Sequence, residues 1–297
     1  MSYNNYDGGE MMEKRILNQL QNLDWRGEAM KLIGGLFPHP PIIIPEVGGE
    51  RRFEAEATLN ACQELAGEIA DEEPELIVFS GPHGRCEREK ITILADDIVK
   101  GDLGQFNAPE LKFSVSSLPG LVKEMTGKAR DEGWAVEVAE DNISVRLDHG
   151  VMVPLYFLEE AGLGNIPWVI VNMAFWSPEK LFGFGQFLSE FFIDTEALFV
   201  ASGDLSHRLK PGSPGGYAPE GEKFDRKLME YLGEANIHEI IEMDSQLREK
   251  AGECGYRPLL IALGFCQNEG LNVDVKSYEG PFGVGYGVAG FYQDHQD

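Results

Sequence analysis

Three short apolar runs do most to limit what this chain can become. ELIVFS (75–80), PWVIVNM (167–173) and ALFVAS (197–202) are rich in β-branched and aromatic residues. Runs of this length and make-up read as buried strands. LIGGLF (32–37) reads the same way, and KITILA (90–95), LKFSV (111–115) and WAVEV (134–138) are shorter candidates. Helical patterns fall between them at 51–71, 119–132, 151–160 and 178–192. In the first of these, Phe53, Ala57, Cys62, Leu65 and Ile69 share an apolar face. Pro154 suits the helix over 151–160 because it lies in the first turn, where no backbone N–H is needed. Residues 219–269 are mostly helical, with breaks near Asn236 and Asp244, and VDVKSYE (273–279) and GYGVAGFY (285–292) close the chain as strands. Strands alternating with helices predict an α/β layered domain whose central, mostly parallel sheet is flanked by helices. Residues 1–30 read as an N-terminal extension, with an amphipathic helix over 10–30, and residues 31–297 as one domain.

Composition narrows the partners. The 50 acidic residues outnumber the 25 basic ones and give a formal charge of −25. A surface of that sign repels nucleic-acid phosphates and anionic membranes, so neither is expected as a partner. No stretch approaches the ~20 apolar residues of a membrane span. Cys62, Cys86, Cys254 and Cys266 show no CxxC spacing, which argues against a disulfide framework or a thiolate zinc knuckle. The polar, acidic N-terminus does not resemble a signal peptide, so a cytoplasmic location is expected.

The histidines carry the functional signal. Of six, four occupy similar places. His39 follows the strand at 32–37, His83 follows that at 75–80 and His207 follows that at 197–202, while His149 directly precedes a helix. In open α/β sheets, ligands bind at the carboxyl ends of the strands. A lone loop histidine is ordinarily a solvated or hydrogen-bonded residue, but four flanked by Gly or Pro at matching positions point to one shared site. His238 and His295 lack that context and read as solvated. Imidazole suits Zn, Fe, Cu and Ni, and two histidines with one carboxylate leave open positions on iron. Glu253, in AGECGYRPLLIALG, is a candidate carboxylate, although a helix-starting Glu also serves the helix dipole. GPFGVGYGV reads as a close strand approach rather than a nucleotide loop, and the aromatic helix at 178–192 as core or oligomer surface. Tyr217 and Arg208 flank the His207 motif, where such residues touch substrate or make structural bonds.

The blocks LFPHPPIIIPEVGG, SGPHG, GDLGQFNAPE, RLDHGVMVPLYF, ASGDLSHRLK, YAPEGEKFD, ECGYRP and SYEGPFGVGYGV occur in this order. Together they resemble the class III extradiol ring-cleavage dioxygenase superfamily, in particular the branch found in the AmmeMemoRadiSam system and related to the Memo proteins. The resemblance runs from about residue 31 to 292. It implies a metal held by His39 and His83 with Glu253, His207 as acid–base, His149 in contact with substrate and Asp204 orienting the site. With PLLIALG as the ruler, Cys254 falls at the acidic position instead, as in the Memo proteins. The implied reaction is Fe(II)-dependent extradiol cleavage of a small catechol-like aromatic by dioxygen, with Zn or Cu as the other metals. The alternatives are a zinc-dependent non-redox enzyme and a Memo-like module that binds metal or partner proteins. A homo-oligomer is the default assembly.

Overall fold

The computed structural model describes residues 30–139, 146–267 and 270–294. The helix expected over 10–30, and His295, lie outside them. In chain order the strands are β1 (Met30–Phe37), β2 (Leu76–Gly81), β3 (Ile91–Leu94), β4 (Ile98–Leu103), β5 (Ala108–Ser116), β6 (Val136–Ala139), β7 (Trp168–Asn172), β8 (Ala197–Ser202), β9 (Asn272–Glu279) and β10 (Tyr286–Asp294). The helices used below are α1 (Glu56–Asp71), α2 (Pro119–Asp131), α3 (His149–Glu160), α4 (Pro178–Phe191), α5 (Pro219–Gly233), α6 (Ile237–Ile241), α7 (Ser245–Ala251) and α8 (Tyr256–Cys266).

An eight-stranded sheet runs in the order β6-β3-β7-β2-β8-β1-β10-β9. Its middle, β7-β2-β8-β1, is parallel, β3–β6 is a further parallel pair, and β10 and β9 add an antiparallel edge. Side chains alternate between faces along each strand, so a strand buried on both sides feeds two cores. Leu76 and Val78 enter one core, and Ile77 and Phe79 the other. In β8, Phe199 and Ala201 pack on the first side, and Leu198 and Val200 on the second. The first core also takes residues of α2, α4, α5 and α8, and the second those of α1 and α3. The fold is thus the layered α/β arrangement expected. The aromatic residues Phe182, Phe184 and Phe187 of α4 belong to the core.

The parallel register sets the place of the site. Phe37 of β1 pairs with Ser202 of β8, and Ser80 of β2 pairs with Ala201. Three neighbouring strands therefore stop at the same level, and the segments after them emerge side by side.

The structure revises several expectations. The helix expected from residue 51 begins as a 3₁₀ turn, Gly49–Ala55, and becomes α-helical only at Glu56. Phe53 is consequently 50% exposed rather than on the apolar face. Strand β4 is missing from the sequence-based expectation, because its Lys100, Gly101 and Asp102 are poor strand formers; pairing with β5 overrides that preference. Helix α3 begins at His149, so Pro154 lies beyond the first turn. The breaks expected near Asn236 and Asp244 are present, and both residues act there as N-caps whose side chains accept from Glu239 N and Leu247 N.

Glycines permit two close approaches. A Cβ on Gly264 of α8 would lie 1.9 Å from Phe182 O, and one on Gly185 of α4 would lie 2.1 Å from Ile261 O. In GPFGVGYGV, a Cβ on Gly285 would meet Asp225 Oδ2 at 2.0 Å, which agrees with close packing there. Gly264→Ala should lower stability by about 1–3 kcal/mol through overpacking. Gly120→Ala, with nothing within 4 Å of the added Cβ, should change it by no more than about 0.5 kcal/mol. Denaturant melts of the two variants provide the comparison.

Candidate metal centre

The Pro38–His39–Pro40 turn follows β1 and turns the His39 ring back over the sheet end, where it is 1% exposed. Its Nδ1 lies 2.9 Å from Ser202 Oγ, the last side chain of β8. Ser202 Oγ in turn donates to the carbonyl of Gly150 at 2.5 Å. The serine proton is therefore committed, and its oxygen accepts from His39 Nδ1–H. The His39 tautomer follows: Nε2 carries the lone pair.

Gly150 O is available because of Pro154. In an α-helix the carbonyl of residue 150 would accept from the N–H of residue 154, and proline has none. A proline beyond the first turn of α3 thus frees a carbonyl that orients a histidine on a different loop. No sequence motif assigns Ser202 or Pro154 a role in the site. The available signals are a serine closing an apolar strand and a proline inside a helical pattern.

His83 follows β2 through Pro82, and its Nε2 lies 3.0 Å from His39 Nε2. Cys254 Sγ lies 3.6 Å from the same nitrogen. Among the described residues, the ligand atoms of His39, His83 and Cys254 all lie within 4.8 Å of one another. Bonds of about 2.0–2.1 Å to nitrogen and about 2.3 Å to sulfur place cis ligands of one cation roughly 3.0–3.6 Å apart. The three donors therefore fit a shared ion.

Glu253, the carboxylate expected beside the histidines, does not face them. Its Oε2 accepts from Tyr256 N at 2.7 Å and caps the start of α8. The next residue, Cys254, is brought in by a backbone contact between two glycines: a Cβ on Gly203 would lie 2.0 Å from Gly255 Cα. Cys254 N and Gly255 N both donate to Asp204 O, and Asp204 N donates to Cys254 Sγ at 3.3 Å. The 203–204 and 254–255 segments are thus laced together, and the thiol is fixed beside the carboxylate of Asp204.

Asp204 borders both halves of the site. Its Oδ1 accepts from His39 N at 2.9 Å, and its Oδ2 lies 4.0 Å from His39 Nε2 and 3.8 Å from His207 Nε2. His207 Nδ1 donates to Gly252 O at 2.7 Å, which leaves its Nε2 lone pair facing the carboxylate. His149, the first residue of α3, is placed by its N-cap Asp148, which accepts from Gly150 N. Its ring stacks on His83 with centroids 4.4 Å apart, and meets Phe106 edge-on at 5.4 Å. The structure thus gathers His39, His83, His149, Asp204 and His207, with Cys254. His238 is exposed, and Arg208 Nη1 donates to Lys250 O in a structural bond.

Burial sets the protonation of the cluster. Loss of solvent pushes His39 far below the ordinary histidine range, with His83, His149 and His207 adding to the effect. It lowers His149 to about 4, with help from His83 and His207, and lowers His83, with help from His207. Burial raises Asp204 to about 6, against the pull of the His39 N–H bond and His207. It also raises the Cys254 thiol, reinforced by Asp204. Neutral imidazoles present lone pairs at physiological pH, whereas the thiol loses its proton only when a cation takes its place.

The fold and the geometry describe an α/β protein with a His-His-Cys group able to hold a metal ion at the ends of its parallel strands. Residues 34–289 match the model of the catalytic LigB subunit of aromatic ring-opening dioxygenase, and the chain belongs to that family. Members of the family bind a metal ion. Protein CA_C1420 of Clostridium acetobutylicum is 36% identical over 265 residues, which cover 85% of this chain and 56% of that protein. The chain therefore spans little more than half the length of that relative. The crystal structure of the uncharacterized protein JW3007 from Escherichia coli K12 matches 88% of this chain and 99% of its own with a TM-score of 0.58 at 16% identity, a likeness of fold. Among the described residues, no helix is long and apolar enough to cross a membrane.

In the metal-free protein, an NMR titration should place the His149 midpoint near 4, not at the ordinary 6.5. The sign is fixed by which state binds the proton first. As pH falls below 6.5, the unfolded chain protonates at this position before the folded one, so His149 destabilises the fold down to about 4. Asp204, raised to about 6, works in the opposite direction. The single-residue titration therefore tests the environment more cleanly than a melting curve, and a midpoint at 6.5 would contradict it.

Proposed function

We propose that this chain is a metal-dependent dioxygenase that opens a catechol-like aromatic ring in the extradiol position, with the cation held by His39, His83 and Cys254. The observation that carries the reading is the convergence of those three donors beside two further histidines. Family membership supports an oxygenase scaffold. When bound, the cation would supply a Lewis-acid centre on which a diol and dioxygen meet.

The protein's own groups divide the remaining work. His207 Nε2 has its lone pair directed into the site by the Gly252 bond, so it can take a phenolic proton and return it later in the reaction. Asp204 lies 3.8 Å from that nitrogen and stabilises the resulting imidazolium. His149, held between His83 and Phe106, lines the approach and can donate a hydrogen bond to bound substrate. Ser202 holds His39 in the ligating tautomer.

Cys254 favours a second reading. A thiolate is softer than a carboxylate and shifts preference toward zinc or copper. On that reading the centre serves a zinc-dependent non-redox reaction or a Memo-like metal- or partner-binding role. Metal analysis of protein purified without added metal, followed by oxygen uptake on a panel of catechols after Fe(II) reconstitution, separates the two. Uptake with ring-opened product supports the dioxygenase. Zinc or copper with no uptake supports the second reading. A cytoplasmic location is part of either proposal.

Two variants refine the assignment. Ser202→Ala removes the acceptor for His39 Nδ1 and should weaken metal binding about 10–100-fold, read by chelator competition. His207→Gln should keep metal content and lower kcat by about 10²–10⁴-fold. A loss below about tenfold would remove His207 from the acid–base role.

A further inference from the structure

One buried acid has no place in the chemistry above. Asp225, on α5, is fully buried, and no cation pairs with it among the described residues. Its Oδ1 accepts from Ser206 N at 2.8 Å, and its Oδ2 accepts from Tyr278 OH of β9 at 2.9 Å. The fit is close, since a Cβ on Gly285 would lie 2.0 Å from Oδ2. Burial raises the carboxyl to about 7, against the pull of the two hydrogen bonds and with Glu253 adding to the rise. A protonated carboxyl keeps its carbonyl oxygen, so Oδ1 can accept from Ser206 N in either state.

Ser206 is where that acid meets the site. It directly precedes His207, and all of its polar atoms are engaged. Its N–H goes to Asp225. Its Oγ donates to Ala251 O at 2.9 Å and accepts from Arg208 N at 3.0 Å, and its carbonyl accepts from Gly285 N at 2.8 Å. Helix α5 presses on the serine, since a Cβ on Gly221 would lie 2.4 Å from Oγ. Ala251 in turn precedes Gly252, whose carbonyl takes the Nδ1 proton of His207. The backbone that carries the imidazole and the segment that carries its orienting carbonyl therefore both hang on Ser206. The His207 side chain is itself 27% exposed, so packing alone does not fix the ring.

We propose that Asp225 is a positioning residue for His207: by holding Ser206 N it sets the loop so that Nδ1 meets Gly252 O and Nε2 faces Asp204. The proposal rests on the reading of His207 as the acid–base group, and it deepens that reading by naming what keeps the lone pair aimed. Tyr278 serves by holding the acid's other oxygen. The arrangement needs an acceptor at Oδ1. An amide can supply one, with its Nδ2 donating to Tyr278 O, whereas a methyl group cannot.

The test compares Asp225→Ala, Asp225→Asn and Tyr278→Phe in the full chain, with Gly264→Ala as a variant destabilised at the contact of α4 with α8 instead. NMR of the ring nitrogens is recorded on metal-free protein at about pH 8, above the ordinary histidine range. His207 should be protonated at Nδ1 alone. Asp225→Ala should leave a mixture of both tautomers, Tyr278→Phe a smaller shift in the same direction, and Asp225→Asn the original state. His39 should keep its Nδ1 proton throughout. Gly264→Ala should melt earlier with His207 unchanged. After Fe(II) loading, Asp225→Ala should lower kcat on a catechol at least about tenfold, the scale of a misplaced group, with KM within about twofold and metal content unchanged. An unshifted His207 in Asp225→Ala overturns the proposal, as does a shift that Asp225→Asn fails to reverse. Where the alanine variant does not fold, an unshifted His207 in Tyr278→Phe overturns it. If the spectra change as expected and kcat does not, Asp225 still positions the ring and the acid–base reading of His207 fails. If the unsubstituted protein consumes no oxygen with any catechol, the dioxygenase reading fails and the spectra alone decide the proposal.

Discussion

Because Pro154 has no N–H, the carbonyl of Gly150 lacks its usual helical donor, and Ser202 Oγ takes that place at 2.5 Å. The rest of the site depends on this bond. It ties α3 to the end of β8, leaves the serine oxygen as an acceptor and holds His39 in the one tautomer that can ligate through Nε2. The two elements that the bond joins also carry the other polar side chains of the cluster, since His149 opens α3 and Asp204 and His207 follow β8. A single hydrogen bond made possible by a missing donor thus couples helix geometry to the electronic state of a buried ring.

The cluster is also an electrostatic solution. Three imidazoles packed within 5.2 Å, centroid to centroid, cannot be cationic together, and burial adds to the penalty. They are held neutral in the folded protein, which is the state that binds a cation. Asp204 and Cys254 complete the balance, because both retain protons more strongly than they would in water and both would release them to a positive ion.

Much of this is legible in the sequence. The apolar runs of β2, β7 and β8 announce a buried parallel sheet, and strand-end loops carrying His39, His83 and His207 announce a site. Residues whose roles come from the chain's own local pattern can be found that way. What escapes depends on distant partners. Phe106 reaches His149 from a hairpin whose first strand is too polar to recognise alone. The choice between Glu253 and Cys254 rests on one residue of helix phase. Which of the two side chains faces the histidines follows from the contact of Gly203 with Gly255, about fifty positions apart, and from the capping bond that holds Glu253 at α8. Ser202 and Pro154 act through a hydrogen bond between two elements that no local pattern links.

The central claim is that one cation is shared by His39, His83 and Cys254. X-ray absorption at the edge of the reconstituted metal tests it most directly. The account predicts one sulfur scatterer at about 2.3 Å and nitrogen scatterers at about 2.0–2.1 Å, with the sulfur lost in Cys254→Ser. A first shell of nitrogen and oxygen alone in the unsubstituted protein would contradict it.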